Sequence, residues 1–240
     1  MADFRTHLSV AAVTSGLTVT SFLVIGVVSQ LETILFFFVG ILGGFLPDID
    51  SDNSVPVKLT FSFFAIISSF LVMFSQGNKY SVIELILIWI IVYLFVRIIL
   101  FRIFAMTTVH RGIFHSVPSG ILFCFLITII MHNICNLKEF SSWMAGFFVF
   151  WGYLIHLFLD EIYNVDLLGS GLKRSFGAAV KIISLNDLKS TVILYMVTIG
   201  VFFFTPDFFK FLDVILDYSI YEGIGDKFFP RNGWFKGILP

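Results

Sequence analysis

The sequence predicts an all-α, polytopic integral membrane protein with six or seven transmembrane helices. Two observations of composition and one of pattern predict it. Hydrophobic residues make up 58% of the 240 and charged residues only 13%, about half the charged share of a soluble domain. Phenylalanine alone occurs 32 times. The apolar residues are gathered into runs close to the ~20 residues that cross a bilayer. A net charge of −1 leaves no basic footprint, so nucleic acid is excluded as a partner and the lipid bilayer is the expected one.

Leu8–Val28 is the first run. It follows Arg5 without a small-residue cleavage site and reads as an uncleaved span. Leu31–Leu46 follows the turn at Ser29-Gln30 and stops at Pro47. Val57–Phe74 is the third, closed by Gln76-Gly77-Asn78-Lys79. Val82–Ala105, Ile113–Ile134 and Ser142–Leu159 are the fourth to sixth, and Leu188–Phe204 is a seventh, cut short by Pro206 and Asp207. Residues 1–210 make one membrane-embedded domain. Residues 211–240 form an amphipathic tail, a surface helix followed by a loop. Glu161–Asp187 sets Lys173, Arg174 and Lys181 among apolar residues and reads as interfacial or re-entrant. Cys124 and Cys135 lack metal-ligand spacing and read as packing residues.

The unusual polar residues fall on this layout in a pattern. His7 opens the first span. Asp48, Asp50 and Asp52 follow the second. His110 and His115 lie between the fourth and fifth, and His156 and Asp160 close the sixth. By crossing count all of these lie at one membrane face, whereas His132 lies at the other. Ionisable groups at membrane depth cost roughly 2.5–3.5 kcal/mol each, so such a cluster is a functional candidate by default.

His156 and Asp160 are one helical turn apart on one face. Asp48 and Asp50 flank Ile49 directly after Pro47, which favours extended or turn backbone with both carboxylates on one side. Imidazole with carboxylate is the ligand set of zinc and related divalent ions, and the number of ligands allows one to three of them. His7, Asp48, Asp50, His110, His115, His156 and Asp160 are therefore the expected metal ligands. Arg111, inside the cluster, is expected to bind an anion. Ser116 is placed to orient a ligand, and Asp50 or a neighbouring aspartate to act as general base. Arg97 and Arg102 read as snorkelling residues. Gly40 and Gly44 form a G-x-x-x-G helix-packing pattern.

These residues carry a resemblance. His7, Leu-Pro-Asp-Ile-Asp at 46–50, His-Arg-Gly-Ile-Phe-His-Ser at 110–116 and His-Leu-Phe-Leu-Asp at 156–160 resemble the YdjM-like family of inner-membrane-associated metal-dependent hydrolases. The order His, Asp, His, His-x-x-x-Asp is more distantly similar to that of zinc-dependent phospholipase C and the zinc nucleases, without all of their histidines. That more distant similarity implies phosphoester hydrolysis; the leading expectation is a metal-dependent hydrolase of a phosphoester on a lipid or membrane-adjacent substrate.

The competing expectation is a metal or proton transporter using the same ligands. Transporter sites lie near the bilayer midplane, however, while these residues sit at span ends. A structural metal is the third possibility, one with a coordinatively closed site. Positive residues concentrate on the motif-bearing face, which by the positive-inside rule is the cytoplasmic face of the inner (plasma) membrane.

Overall fold

The computed structural model describes residues 4–50, 82–100, 115–166, 171–172 and 188–228, with scattered helical positions between 62 and 73. Apart from the antiparallel pair β1 (Val165–Asp166) and β2 (Gly171–Leu172), regular structure among the described residues is helical. The helices are α1 (Phe4–Val24), α2 (Gln30–Gly43), α3 (Val82–Leu94), α4 (Val117–Asn133), α5 (Glu139–Asn164), α6 (Leu188–Phe202), α7 (Phe209–Leu216) and α8 (Tyr218–Phe228). Three stretches, Thr6–Val24, Val82–Ile99 and Glu139–Tyr163, are long and apolar enough to cross a membrane; α2, α4 and α6 are shorter apolar helices.

Local chemistry sets the helix ends and moves several from where hydropathy alone puts them. The apolar run continues to Val28, yet α1 stops at Val24. Gly26 takes a left-handed φ of 81°, its N–H bonds to the Leu23 carbonyl, and the Val27 N–H reaches back to Phe22, the pattern of a Schellman stop. Ser29 and Glu32 form a reciprocal capping box that starts α2. The fifth span begins at Val117, later than Ile113, because extended Ser116 caps it and Pro118 occupies its first turn. The sixth runs from Glu139 to Asn164, well past Ser142–Leu159. His156, Asp160 and Glu161 end the apolar run without ending the helix. The fourth passes from α3 into a π-helical turn, Phe95–Leu100, that carries Arg97. Beyond residue 100 that span lies outside the described residues, as does most of the third, where buried Ala65 and Ser69 are helical.

Helix α5 is the centre of the bundle and packs against α1, α2 and α4, with α6 against α4. Its buried positions Met144, Ala145, Phe148, Val149, Tyr153, His156, Leu157 and Asp160 repeat at helical spacing on one face. Phe148 stacks on Phe36 of α2 at 5.6 Å. Glycines allow α2 and α5 to touch backbone to backbone. A Cβ on Gly152 would stand 1.9 Å from the Gly40 carbonyl oxygen, and one on Gly43 2.0 Å from that of Val149.

One end of the bundle is tied by polar contacts. Ser141 at the start of α5 donates to Glu32 at the start of α2. The Trp143 indole donates to the Pro206 carbonyl at 3.1 Å, and Lys227 of α8 caps the Val24 carbonyl at 2.7 Å. Helices α7 and α8 thus lie across this end. The expected ligands gather at the other.

Candidate metal centre

Four segments converge at that second end. His7 is the fourth residue of α1, and Asp48 lies in the 3-10 turn Pro47–Asp50 that follows α2. His115 comes directly before α4, and His156 and Asp160 lie on α5. His7, His156 and Asp160 are fully buried, while the Asp48 and His115 side chains are 29% and 17% exposed, which makes theirs the approachable side.

Four donor atoms form a ring. Asp48 Oδ1 lies 3.5 Å from His156 Nε2 and 3.9 Å from His115 Nε2. Asp160 Oδ2 lies 3.6 Å and 3.8 Å from the same two nitrogens. Donors bonded at ~2.1 Å to a tetrahedral ion stand about 3.4 Å apart, and these four separations exceed that edge by about 0.1–0.5 Å. Two overlapping groups have the spacing to hold an ion, His7 with His156 and Asp160, and Asp48 with His115 and His156. Two aspartates and neutral histidines give the cluster a formal charge of −2, the complement of a divalent cation.

Hydrogen bonding orients the shared histidine. His156 Nδ1 lies 2.8 Å from the Gly44 carbonyl oxygen. A carbonyl only accepts, so Nδ1 carries the proton and Nε2 presents its lone pair to the cluster. This is the outer-shell device that orients metal-ligating histidines. It also limits His156 to one ion. His156 Nε2 and His115 Nε2 are buried without a hydrogen-bond partner among the described residues, an expensive condition for polar atoms that a cation relieves.

His7 stands differently. Its ring stacks on His156 at 3.7 Å, and its Nε2 approaches the other carboxylate oxygen of Asp160 at 3.2 Å. It thus touches both Asp160 and His156, the two residues with which it forms the second ion-capable group.

Of the expected site residues, His7, Asp48, His115, His156 and Asp160 are brought together. Asp50 ends the 3-10 turn. Ser116 caps α4, and its buried hydroxyl lies 3.1 Å from that of Ser119. His110, Arg111 and Asp52 lie outside the described residues.

The motifs that supply these ligands fall within one matched region: residues 1–173 fit the model of the YdjM inner membrane protein family. The chain belongs to the YdjM inner membrane protein family. No curated protein and no solved structure matches it. The family region contains every residue of the cluster and ends before α6, α7 and α8.

Sequence reading missed the Gly44 carbonyl and Gly152. Main-chain acceptors have no residue-type signature. Gly152 did have one, standing a single turn before His156 just as Gly40 stands a turn before Gly44. That matched spacing registers α2 against α5.

Proposed function

We propose that the protein is a metal-dependent hydrolase of the inner membrane, acting on a phosphoester of a lipid or membrane-adjacent substrate. The observation that carries this is the ring of Asp48, His115, His156 and Asp160, whose two imidazole Nε2 atoms are buried without a hydrogen-bond partner among the described residues and lie 3.5–3.9 Å from carboxylate oxygens. Zinc suits the donor set, and these four residues would hold it. A bound divalent ion supplies Lewis-acid polarisation of the ester and a nucleophile at neutral pH.

The chain's own residues take the remaining roles. Gly44 holds the His156 tautomer, and His7 steadies Asp160. Arg111, four residues before His115, receives the anionic phosphoester through its planar fork of donors. Asp50, two residues from Asp48, is the general base. His110, five residues before His115 in sequence, adds an imidazole, and Ser116 orients the loop end that presents His115.

A site at helix ends and the excess of positive charge expected on the ligand face support a multi-pass protein of six or seven crossings whose site opens to the cytoplasm. Lys210 and Lys227, at the opposite end with Lys138, narrow that excess but do not reverse it. By crossing count the charges expected on the ligand face include Arg5, Lys58, Arg102, Arg111, Lys173, Arg174 and Lys181.

The test is metal content and turnover of protein purified in mild detergent without strong chelators. Zinc should be present at stoichiometric level and be lost in His156→Ala. Arg111→Ala should keep the ion and lose phosphoester turnover, since a guanidinium does not ligate a cation. Wild-type protein that binds no divalent ion refutes the site. Bound ion without turnover on phospholipid, isoprenoid-phosphate and nucleotide substrates refutes the hydrolase, and ion flux in proteoliposomes would then favour transport.

A further inference from the structure

The height of the cluster along the bundle can be measured from the bundle's other end. The Glu32–Ser141 bond sets α2 and α5 at one level there, beside charged Lys138 and Glu139. From Ser141 the α-helical rise brings His156 to about 22 Å and Asp160 to about 28 Å. Helix α1 gives the same answer independently, with His7 about 26 Å from Val24. A tilt near 20° shortens these values by only ~6%. The hydrocarbon core of a bilayer is about 30 Å thick, so with its near boundary at the level of Ser141 the ligands fall short of its far boundary.

The outer face of α5 agrees. At the height of the ligands it turns Phe158 outward, 60% exposed, and further on Ile162 and Tyr163 at 39% and 48%. Ser141 to Ile162 is about 31 Å of helix. Between Glu139 and Glu161 the only charged residue on α5 is Asp160, which points inward and is buried. Large apolar side chains exposed past the level of Asp160 need lipid around them, with Tyr163 at the interface as tyrosines commonly are.

We infer that the cluster lies inside the acyl layer beneath the headgroup plane, and that its substrate is a bilayer lipid whose phosphoester is drawn to glycerol depth. The depth follows from the helices alone; the substrate class rests on the hydrolase reading. A water-soluble phosphoester would have to shed hydration to descend among apolar chains, a costly transfer for an anion. A lipid already carries its phosphoester near that level.

The depth is read by nitroxide labels on the full chain with Cys124→Ala and Cys135→Ala, reconstituted in phosphatidylcholine–phosphatidylglycerol vesicles. Labels are placed at Phe158→Cys, at Val13→Cys in the middle of α1 and at Lys210→Cys on the polar end. The label at 158 should meet oxygen more often than an aqueous nickel chelate, with a ratio between those at 13 and 210. A ratio at 158 equal to that at 210 overturns the inference. Should the cysteine-free chain not fold, a photoreactive benzoylphenylalanine at 158 gives the same reading. Cross-linking to acyl chains supports the depth, and its absence beside a cross-linking position 13 overturns it. In zinc-supplemented vesicles, phosphatidic acid should be hydrolysed at least an order of magnitude faster than glycerol phosphate. Equal rates overturn the lipid substrate. No turnover of either, with the ion bound and position 158 in lipid, refutes the hydrolase reading and its substrate while the depth stands.

Discussion

Replacing Gly152 with alanine tests whether the close approach of α2 and α5 orients the metal ligands. The new Cβ would stand 1.9 Å from the Gly40 carbonyl oxygen and 2.8 Å from the Gly44 nitrogen. Ordinary contact needs roughly 3.4 Å, so α2 must retreat by about 1.5 Å at this point. One turn further along the same pair of helices, His156 donates to Gly44 across 2.8 Å. The same retreat opens that hydrogen bond to about 4.3 Å, beyond any useful length. Overpacking of this kind costs typically ~1–3 kcal/mol of stability. Losing the outer-shell partner of a metal-bound histidine weakens affinity by about 10–100-fold. Zinc affinity should therefore fall by that factor in a competitive chelator titration in detergent, and the melting temperature should fall with it. Gly200→Ala is the control, since nothing lies within 4 Å of the added carbon, and it should leave affinity unchanged. A Gly152→Ala protein that binds zinc as tightly as wild type would refute the proposed link between helix approach and ligand orientation.

Three further outcomes are expected. His7→Ala should retain the ion with affinity reduced by about 10–100-fold, whereas His115→Ala should lose it; equal loss in both would make His7 a direct ligand. Removing the ion with a chelator should lower stability by about 2.7 kcal/mol relative to protein in zinc at 100 times the dissociation constant, read as a lower melting temperature, and an unchanged transition would show that the folded chain holds no ion. In a background with Cys124 and Cys135 replaced, intact cells should expose a cysteine at position 78 to an impermeant thiol reagent and shield one at position 51, because positive charge gathers on the ligand side; the reverse labelling places the site outside.

Much of the arrangement was legible because membrane chemistry is restrictive. With no water to satisfy main-chain groups, apolar runs of spanning length must be helical, so the order and type of α1 to α6 follow from hydropathy. Their ends do not. Where α1 stops depends on Gly26 and two backbone hydrogen bonds, and α5 outlasts its apolar run because a helix tolerates buried polar residues that find partners. The cluster itself was legible by elimination, since charged and imidazole groups are rare in such a chain and five of those expected to meet do meet.

By itself, the sequence determined that this is a helical membrane protein, which residues are chemically capable of holding a metal, and that helix ends would gather them. Only the tertiary structure decided how they divide the work. Sequence lists His7 and His156 alike, but the folded chain holds His156 Nδ1 on the Gly44 carbonyl and stacks His7 on its ring, with His7 Nε2 against Asp160. That difference comes from a main-chain carbonyl, Gly44, and from glycines that let two helices touch. Backbone acceptors and helix separations are products of packing, and no residue type encodes them on its own.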